Sequence, residues 1–516
     1  MLYRLIFFFG VASTMVNCAP DKPKETHTSD STIISYKENY RPRFHFTPAK
    51  NWMNDPNGLL FHKGEYHMFY QYNPLGNTWG HMSWGHAVSK DLLHWDHLPV
   101  AIEEYVDHRG DSTMVFSGSA VVDKKNSTGF FGQDSTGLVA IYTSHVYQGF
   151  DQIKQHQSLA YSKDGGRTFT RYENNPVLDI NLKDFRDPKV FWYEPENKWV
   201  MAVVVPNKFQ TQFYSSQDLK QWKFLSSLGP LGDTTKIWEC PDLVQLSVIN
   251  EPEKKKWALI ISASHPQRKN FVGMQYFVGD FDGQSFIPDN PGQYPLYLDY
   301  GKDFYAGITF NNMPKTDGRN ILIGWANNWA YGQTIPTHPW RSAMALPREI
   351  ALNKTPQGYR INQKPIQELD TLRESKIEDI SAFNLSENAA IEIEYEFTGG
   401  DAKQFGLKIF KGTNEETVIA YDRGSKMVSF QRNRSGNTTF HPDFGSIESA
   451  PAELIDGKLK LHVFIDHSIV EVFINDGESV ITNQVFPTKN PSSIELFSIH
   501  GEANTTVSMW TLKSIW

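Results

Sequence analysis

Ser89-Lys90-Asp91-Leu92-Leu93-His94-Trp95 and Ser216-Gln217-Asp218-Leu219-Lys220-Gln221-Trp222 are two copies of one turn, with Ser, Asp-Leu and Trp at the same spacings. Looser copies stand at Ser162-Lys163-Asp164-Gly165-Gly166-Arg167-Thr168-Phe169 and Asp282-Gly283-Gln284-Ser285-Phe286. Each is a polar turn followed by an aromatic residue that packs back. Outward from these turns, 40–350 consists of short runs rich in Val, Ile, Tyr, Phe and Trp, such as Leu138-Val139-Ala140-Ile141-Tyr142-Thr143, separated by Gly, Asn, Asp and Pro. Such runs read as strands. Recurring β-units that share a turn suit a β-propeller, in which every blade is a small antiparallel sheet, and the span has room for about five blades. A sandwich of hairpins would show the same degenerate repeat, so the residues alone leave both open.

From 351 to 373 the pattern weakens around Pro356, Gly358 and Pro365, with one helical turn expected from Ile366 to Arg373, and the stretch reads as a linker. Beyond it, Ala390-Ile391-Glu392-Ile393-Glu394-Tyr395-Glu396-Phe397 alternates apolar with charged residues, as a strand with one buried face does. The segment 374–516 is therefore expected to be a β-sandwich. The fold class is all-β, a five-bladed propeller followed by a C-terminal sandwich.

At the other end, Arg4 and the apolar run Leu5 to Val11 lead to Cys18, the layout of a signal peptide over 1–18. The run is too short to span a bilayer. Cys18 followed by a polar stretch resembles a lipoprotein signal, whereas Asn17 departs from its usual small residue; lipidation of Cys18 and ordinary cleavage both fit. The polar segment 19–39 reads as a flexible tether. Export is the common consequence, to a periplasmic, cell-surface or secreted location, with a membrane reached only through a lipid at Cys18. The second cysteine, Cys240, then has no disulfide partner within the chain. A net charge of −8 without a basic stripe argues against nucleic acid. The 17 His include no His-Glu-x-x-His pair, and there is no Gly-x-Ser-x-Gly elbow or phosphate-binding glycine loop, so neither a catalytic metal nor a cofactor is expected.

Three acids sit in unusual motifs: Asp55 in Trp52-Met53-Asn54-Asp55-Pro56-Asn57-Gly58, Asp187 in Phe185-Arg186-Asp187-Pro188, and Glu239 in Trp238-Glu239-Cys240-Pro241-Asp242. Asp is disfavoured inside strands and Pro cannot donate to a ladder, so these motifs place carboxylates at sheet rims. Hydrolysis of a glycoside with retention needs two carboxyl groups about 5 to 5.5 Å apart, one attacking the anomeric carbon and one protonating the leaving oxygen. Three candidates cover these roles. Strand alternation turns Cys240, the neighbour of Glu239, away from the pocket.

Together with His45-Phe46-Thr47-Pro48, Phe69-Tyr70-Gln71-Tyr72-Asn73-Pro74, Trp79-Gly80-His81-Met82-Ser83-Trp84-Gly85-His86, Phe116-Ser117-Gly118-Ser119, Pro339-Trp340-Arg341-Ser342-Ala343-Met344 and Ile465-Asp466-His467-Ser468-Ile469-Val470-Glu471-Val472-Phe473, these motifs make the chain resemble glycoside hydrolase family 32, the β-fructosidases, from about residue 40 to its end. The resemblance implies a five-bladed propeller plus a sandwich. It implies Asp55 as nucleophile on C2 of a fructofuranosyl unit, Glu239 as acid and base, and Asp187 as a holder of ring hydroxyls in the transition state. It suggests Asn54, Gln71, Trp79, Phe116, Ser117 and Arg186 around the sugar, with Trp325 or Trp329 as a further wall, and Arg186 favouring ionised Asp187. The implied activity is release of fructose from levan, inulin or sucrose, with exo action nearest in look. An endo-acting levanase, a fructosyl transferase and a non-catalytic fructan-binding protein are the alternatives.

Overall fold

A computed structural model describes residues 35–107, 109–132, 136–149, 151–235, 237–264, 273–385, 389–488 and 492–516. The expected signal, Cys18 and most of the expected tether lie outside the described residues. Among the described residues, no helix is long and apolar enough to cross a membrane.

Among the described residues the propeller strands form sheets of five, six, four and nine strands, the last joining two antiparallel units through the parallel pair Val248 and Leu352, which gives five blades of four main strands each. Their innermost strands are β1 (Asn51–His62), β2 (Ser112–Asp123), β3 (Arg186–Tyr193), β4 (Ile237–Val248) and β5 (Tyr305–Thr309). Each packs against the next, and β5 packs against β1, which closes the ring. The parallel pairing of Trp340–Arg341 with the start of β1 fastens the closure. Blades interlock through apolar layers such as Val121, Ile141 and Leu159 of the second blade against Val190, Met201 and Val203 of the third.

The turn that repeats in the sequence joins the third and fourth strands of the first four blades. Its Asp carboxylate caps the turn: Asp91 accepts the backbone N–H of Leu93 and His94, and Asp218 those of Lys220 and Gln221. Its Trp folds back, with the indole N–H of Trp95 and of Trp222 donating to the carbonyls of Leu92 and Leu219. The fifth blade lacks this turn, because Arg348–Thr355 and Gly358–Pro365 meet in a tight hairpin.

That hairpin corrects the expected linker over 351–373. Residues to 365 are propeller strands with Leu352 and Ile361 in the core, and only the 3-10 turn Gln367–Leu372 connects onward. The alternation in this hairpin is real, but Pro356 and Gly358 mark a turn rather than a boundary. The expected tether is also too long. Within it, Tyr36 stacks on Trp516 at 4.2 Å and Glu38 pairs with the buried Arg41 at 3.0 Å.

The sandwich pairs a six-stranded with a five-stranded sheet. Ile391, Ile393, Tyr395 and Phe397 point inward from the alternating strand and meet Leu407, Ile419 and Phe430. The opposite face is not wholly wet, since Glu392 is buried and paired with Arg373.

Candidate active site

All five innermost strands break their ladder at one level. The register shifts fall between Met53 and Pro56 in β1, Phe116 and Gly118 in β2, Arg186 and Lys189 in β3, Glu239 and Asp242 in β4, and Tyr305 and Ile308 in β5. Bulges re-aim side chains and are frequent beside active sites. Here they turn Asp55, Ser117, Asp187, Cys240 and Ala306 out of regular alternation. Asp187, Cys240 and Ala306 hold positive φ angles of 65°, 45° and 53°. Each such residue costs on the order of 1–3 kcal/mol and persists only where its surroundings force it.

Asp55 is 8% exposed. The Ser117 hydroxyl donates to its Oδ2 at 2.6 Å and the Asn54 amide to its Oδ1 at 3.1 Å. Asn54 is itself fixed by the Trp52 indole N–H at 2.7 Å. Asp187 accepts the Cys240 backbone N–H on Oδ2 at 2.9 Å, while its own N–H donates to the Thr143 hydroxyl. Glu239 accepts two N–H groups of Arg186 on Oε1, at 2.9 and 3.1 Å, and the Tyr305 hydroxyl on Oε2. The three carboxyl groups converge: the Cys240 sulfur lies 3.5 Å from Asp55 and 3.7 Å from Asp187, and Arg186, adjacent to Asp187, clamps Glu239.

Burial raises the pKa of Asp55 above the ordinary aspartate range; bonds from Ser117, Asn54 and Cys240 oppose this, and the nearby Glu239 adds to it. Asp187 is also raised, by burial first and by the charges of Glu239 and Asp55, against the pull of Arg186. Arg186 does favour the ionised form of Asp187, as expected, but burial outweighs it. Its guanidinium is 3.8 Å from Asp187 and makes its shortest contacts with Glu239.

Cys240 requires a correction. Regular alternation would turn it outward, but the bulge and its left-handed φ bring the thiol between the two aspartates.

The expected wall residues divide. Trp79, 37% exposed, stands edge-on to the half-buried Phe116 at 6.1 Å. Trp329 is half-buried, 5.9 Å from Trp52. Trp325 is completely buried with its indole N–H on the Met53 carbonyl, so it backs the floor rather than lining it. Gln71 is 2% exposed and its amide donates to the Val115 carbonyl, tying the first blade to the second. Sequence reasoning missed Tyr305, Thr143 and Gln155, whose amide oxygen accepts from Phe185 and Arg186. The signal for Tyr305 was its place before Ala306-Gly307 at the head of an inner strand, the level at which the acids sit.

A propeller whose inner strands bring together three carboxyl groups, two of them buried, with a sandwich behind it, defines a glycoside hydrolase. Residues 45–365 match the family model of the glycosyl hydrolases family 32 N-terminal domain, and 356–512 that of the family's C-terminal region. The chain belongs to glycoside hydrolase family 32. It is 45% identical to a levanase of Bacillus subtilis over 93% of this chain and 72% of that protein. The crystal structure of an exo-inulinase from Aspergillus awamori superimposes with a TM-score of 0.86 at 36% identity, covering 93% of this chain and all of the other. A β-fructofuranosidase from Schwanniomyces occidentalis, solved with fructosyl-erythritol, gives 0.81 at 31% identity over 94% of this chain and all of that one.

Proposed function

We propose that the chain is an exported, retaining β-fructosidase that releases fructose from β-linked fructans and from sucrose. The observation that carries this reading is the convergence of Asp55, Asp187 and Glu239 on one floor. Asp55, oriented by Ser117 and Asn54, attacks C2 of the terminal fructosyl unit. Glu239 gives its proton to the departing oxygen as the C2–O bond breaks. Water, deprotonated by the same Glu239, then displaces Asp55 and frees fructose. Asp187 holds ring hydroxyls and grips harder as the ring flattens toward the oxocarbenium-like transition state. Trp79, Phe116 and Trp329 supply apolar walls for the sugar.

Release of single fructose units from chain ends is supported by likeness to a protein titled exo-inulinase. Export is supported by the leader pattern and by a relative named an extracellular exo-inulinase; lipidation of Cys18 would add a membrane anchor. Purified protein is incubated with levan, inulin and sucrose and the products are followed by chromatography. Fructose as first product is expected. No fructose or oligosaccharide from any of the three overturns the activity, and early oligosaccharides make the action endo.

A further inference from the structure

Just beyond the five bulges, the inner strands carry a second polar layer: Asn57, Ser119, Lys189, Asp242 and Thr309, all buried. Three of them form a knot. The Lys189 ammonium donates to the Thr309 carbonyl at 2.8 Å and hydroxyl at 3.1 Å, and lies 3.1 Å from Asp242 Oδ1. Asp242 Oδ2 accepts the Thr309 backbone N–H. The knot thus ties β3, β4 and β5 together at the propeller axis. These are the three strands whose bulges hold a non-glycine residue at positive φ, namely Asp187, Cys240 and Ala306. A cavity of about 10 Å³, room for no more than one water, lies between the layers, lined in part by Asn57, Ser117, Asp187, Lys189 and Cys240.

We propose that Lys189 and Asp242 are positioning residues, a buried ionic clamp that holds the bulges in the strained form presenting Asp187 and Glu239. Strain at a left-handed residue survives only under restraint. The ladder is interrupted at each bulge, and Pro188 and Pro241 have no N–H with which to restore it. The restraint comes instead from the residues that follow these prolines, Lys189 and Asp242. Without the clamp a bulge relaxes toward regular pairing, and a one-residue slip turns side chains to the opposite face. Cys240 would then withdraw its N–H from Asp187, and Glu239 would lose its alignment with Arg186 and Tyr305.

The inference rests on the β-fructosidase reading, and the unmodified enzyme is assayed first: no product from it would sink that reading, not this one. The test is the double variant Lys189→Met with Asp242→Leu, since apolar replacement of a buried ion pair often preserves stability. A Tm within a few degrees of the parent is expected, with KM for sucrose and inulin changed less than about threefold and kcat down about 10- to 100-fold, the scale of an ångström of misplacement. The acid limb of the pH–rate profile should move to higher pH. Asp187 would lose the Cys240 amide while still facing Glu239 and Asp55, with Arg186 its nearby cation and Lys189 removed. A folded double variant with parental kcat and profile overturns the proposal, as does a kcat loss equal to the loss of folded protein. Should the double variant fail to fold, Asp242→Asn carries the test, and a parental kcat and profile there overturns it equally.

Discussion

The floor of the propeller and the seam between propeller and sandwich both bury carboxylates, and they treat them in opposite ways. At the seam Asp466, Glu471, Asp299 and Asp303 each meet a cation. His45 bonds Asp466 at 2.8 Å and Glu471 at 3.1 Å, and Arg348 bridges Glu471 at 2.7 Å and Asp299 at 3.0 Å. Arg432 pairs with Asp303 on the same seam, and all these side chains are fully buried. At the floor, Arg186 makes its shortest contacts with Glu239 and lies 3.3 Å from Asp184 and 3.8 Å from Asp187, and three bulge residues carry strain. Compensated charge fixes how two domains meet; under-compensated charge and held strain leave groups poised to react.

Asp55→Asn should widen this contrast most. Turnover should fall about 10⁴-fold or more, as for loss of a nucleophilic centre, while stability at neutral pH should rise. The sign follows from the raised pKa of Asp55: the folded state binds its proton more tightly than the unfolded chain, so the stability this group contributes is present at low pH and lost as pH rises through its folded pKa. Asn removes that penalty. Calorimetry at pH 7 showing a lower Tm would break the contrast. For the same reason, the acid limb of the parental pH–rate profile should lie above the ordinary aspartate value of about 3.9.

Arg348→Met attacks the seam. It leaves Glu471 and Asp299 buried without their shared cation and should destabilise by about 3–5 kcal/mol, read as a lower urea midpoint, with KM unchanged. A milder probe is pH. Burial lowers the pKa of His45, but hydrogen bonds and charge from Asp466 and Glu471 outweigh it and raise the value to about 9. Its contribution is complete below pH about 6.5 and is lost as pH climbs toward 9. The difference in Tm between parent and His45→Gln should shrink over that window, and a constant difference would show that His45 is not charged there. The smallest effect is expected from Cys240→Ala: the thiol is a weak donor to Asp55 and Asp187, worth about two- to fivefold in kcat. A larger loss would make the thiol a principal member of the floor.

The repeated Asp-Leu…Trp turns were readable because each is closed locally: an Asp caps backbone groups two and three residues on, and a Trp reaches back three. The fifth blade was blurred because its hairpin lacks that turn, so Pro356 and Gly358 passed for a linker. Asp55, Asp187 and Glu239 announced themselves by their prolines and dense motifs. Tyr305, Lys189 and the inward turn of Cys240 did not, since a bulge shifts alternation by one residue and leaves no periodic trace.

The sequence by itself determined an all-β chain, its turns, its two-part order and the three acids, all of which follow from interactions within a few residues or from motifs that stand in line. Only the tertiary structure decided that five bulges meet at one level, that burial overrides Arg186 at Asp187, and that Trp325 is fully buried while Trp329 stays half-buried beside Trp52. These depend on strands far apart in the chain closing a ring, and desolvation and strain exist only once it has closed.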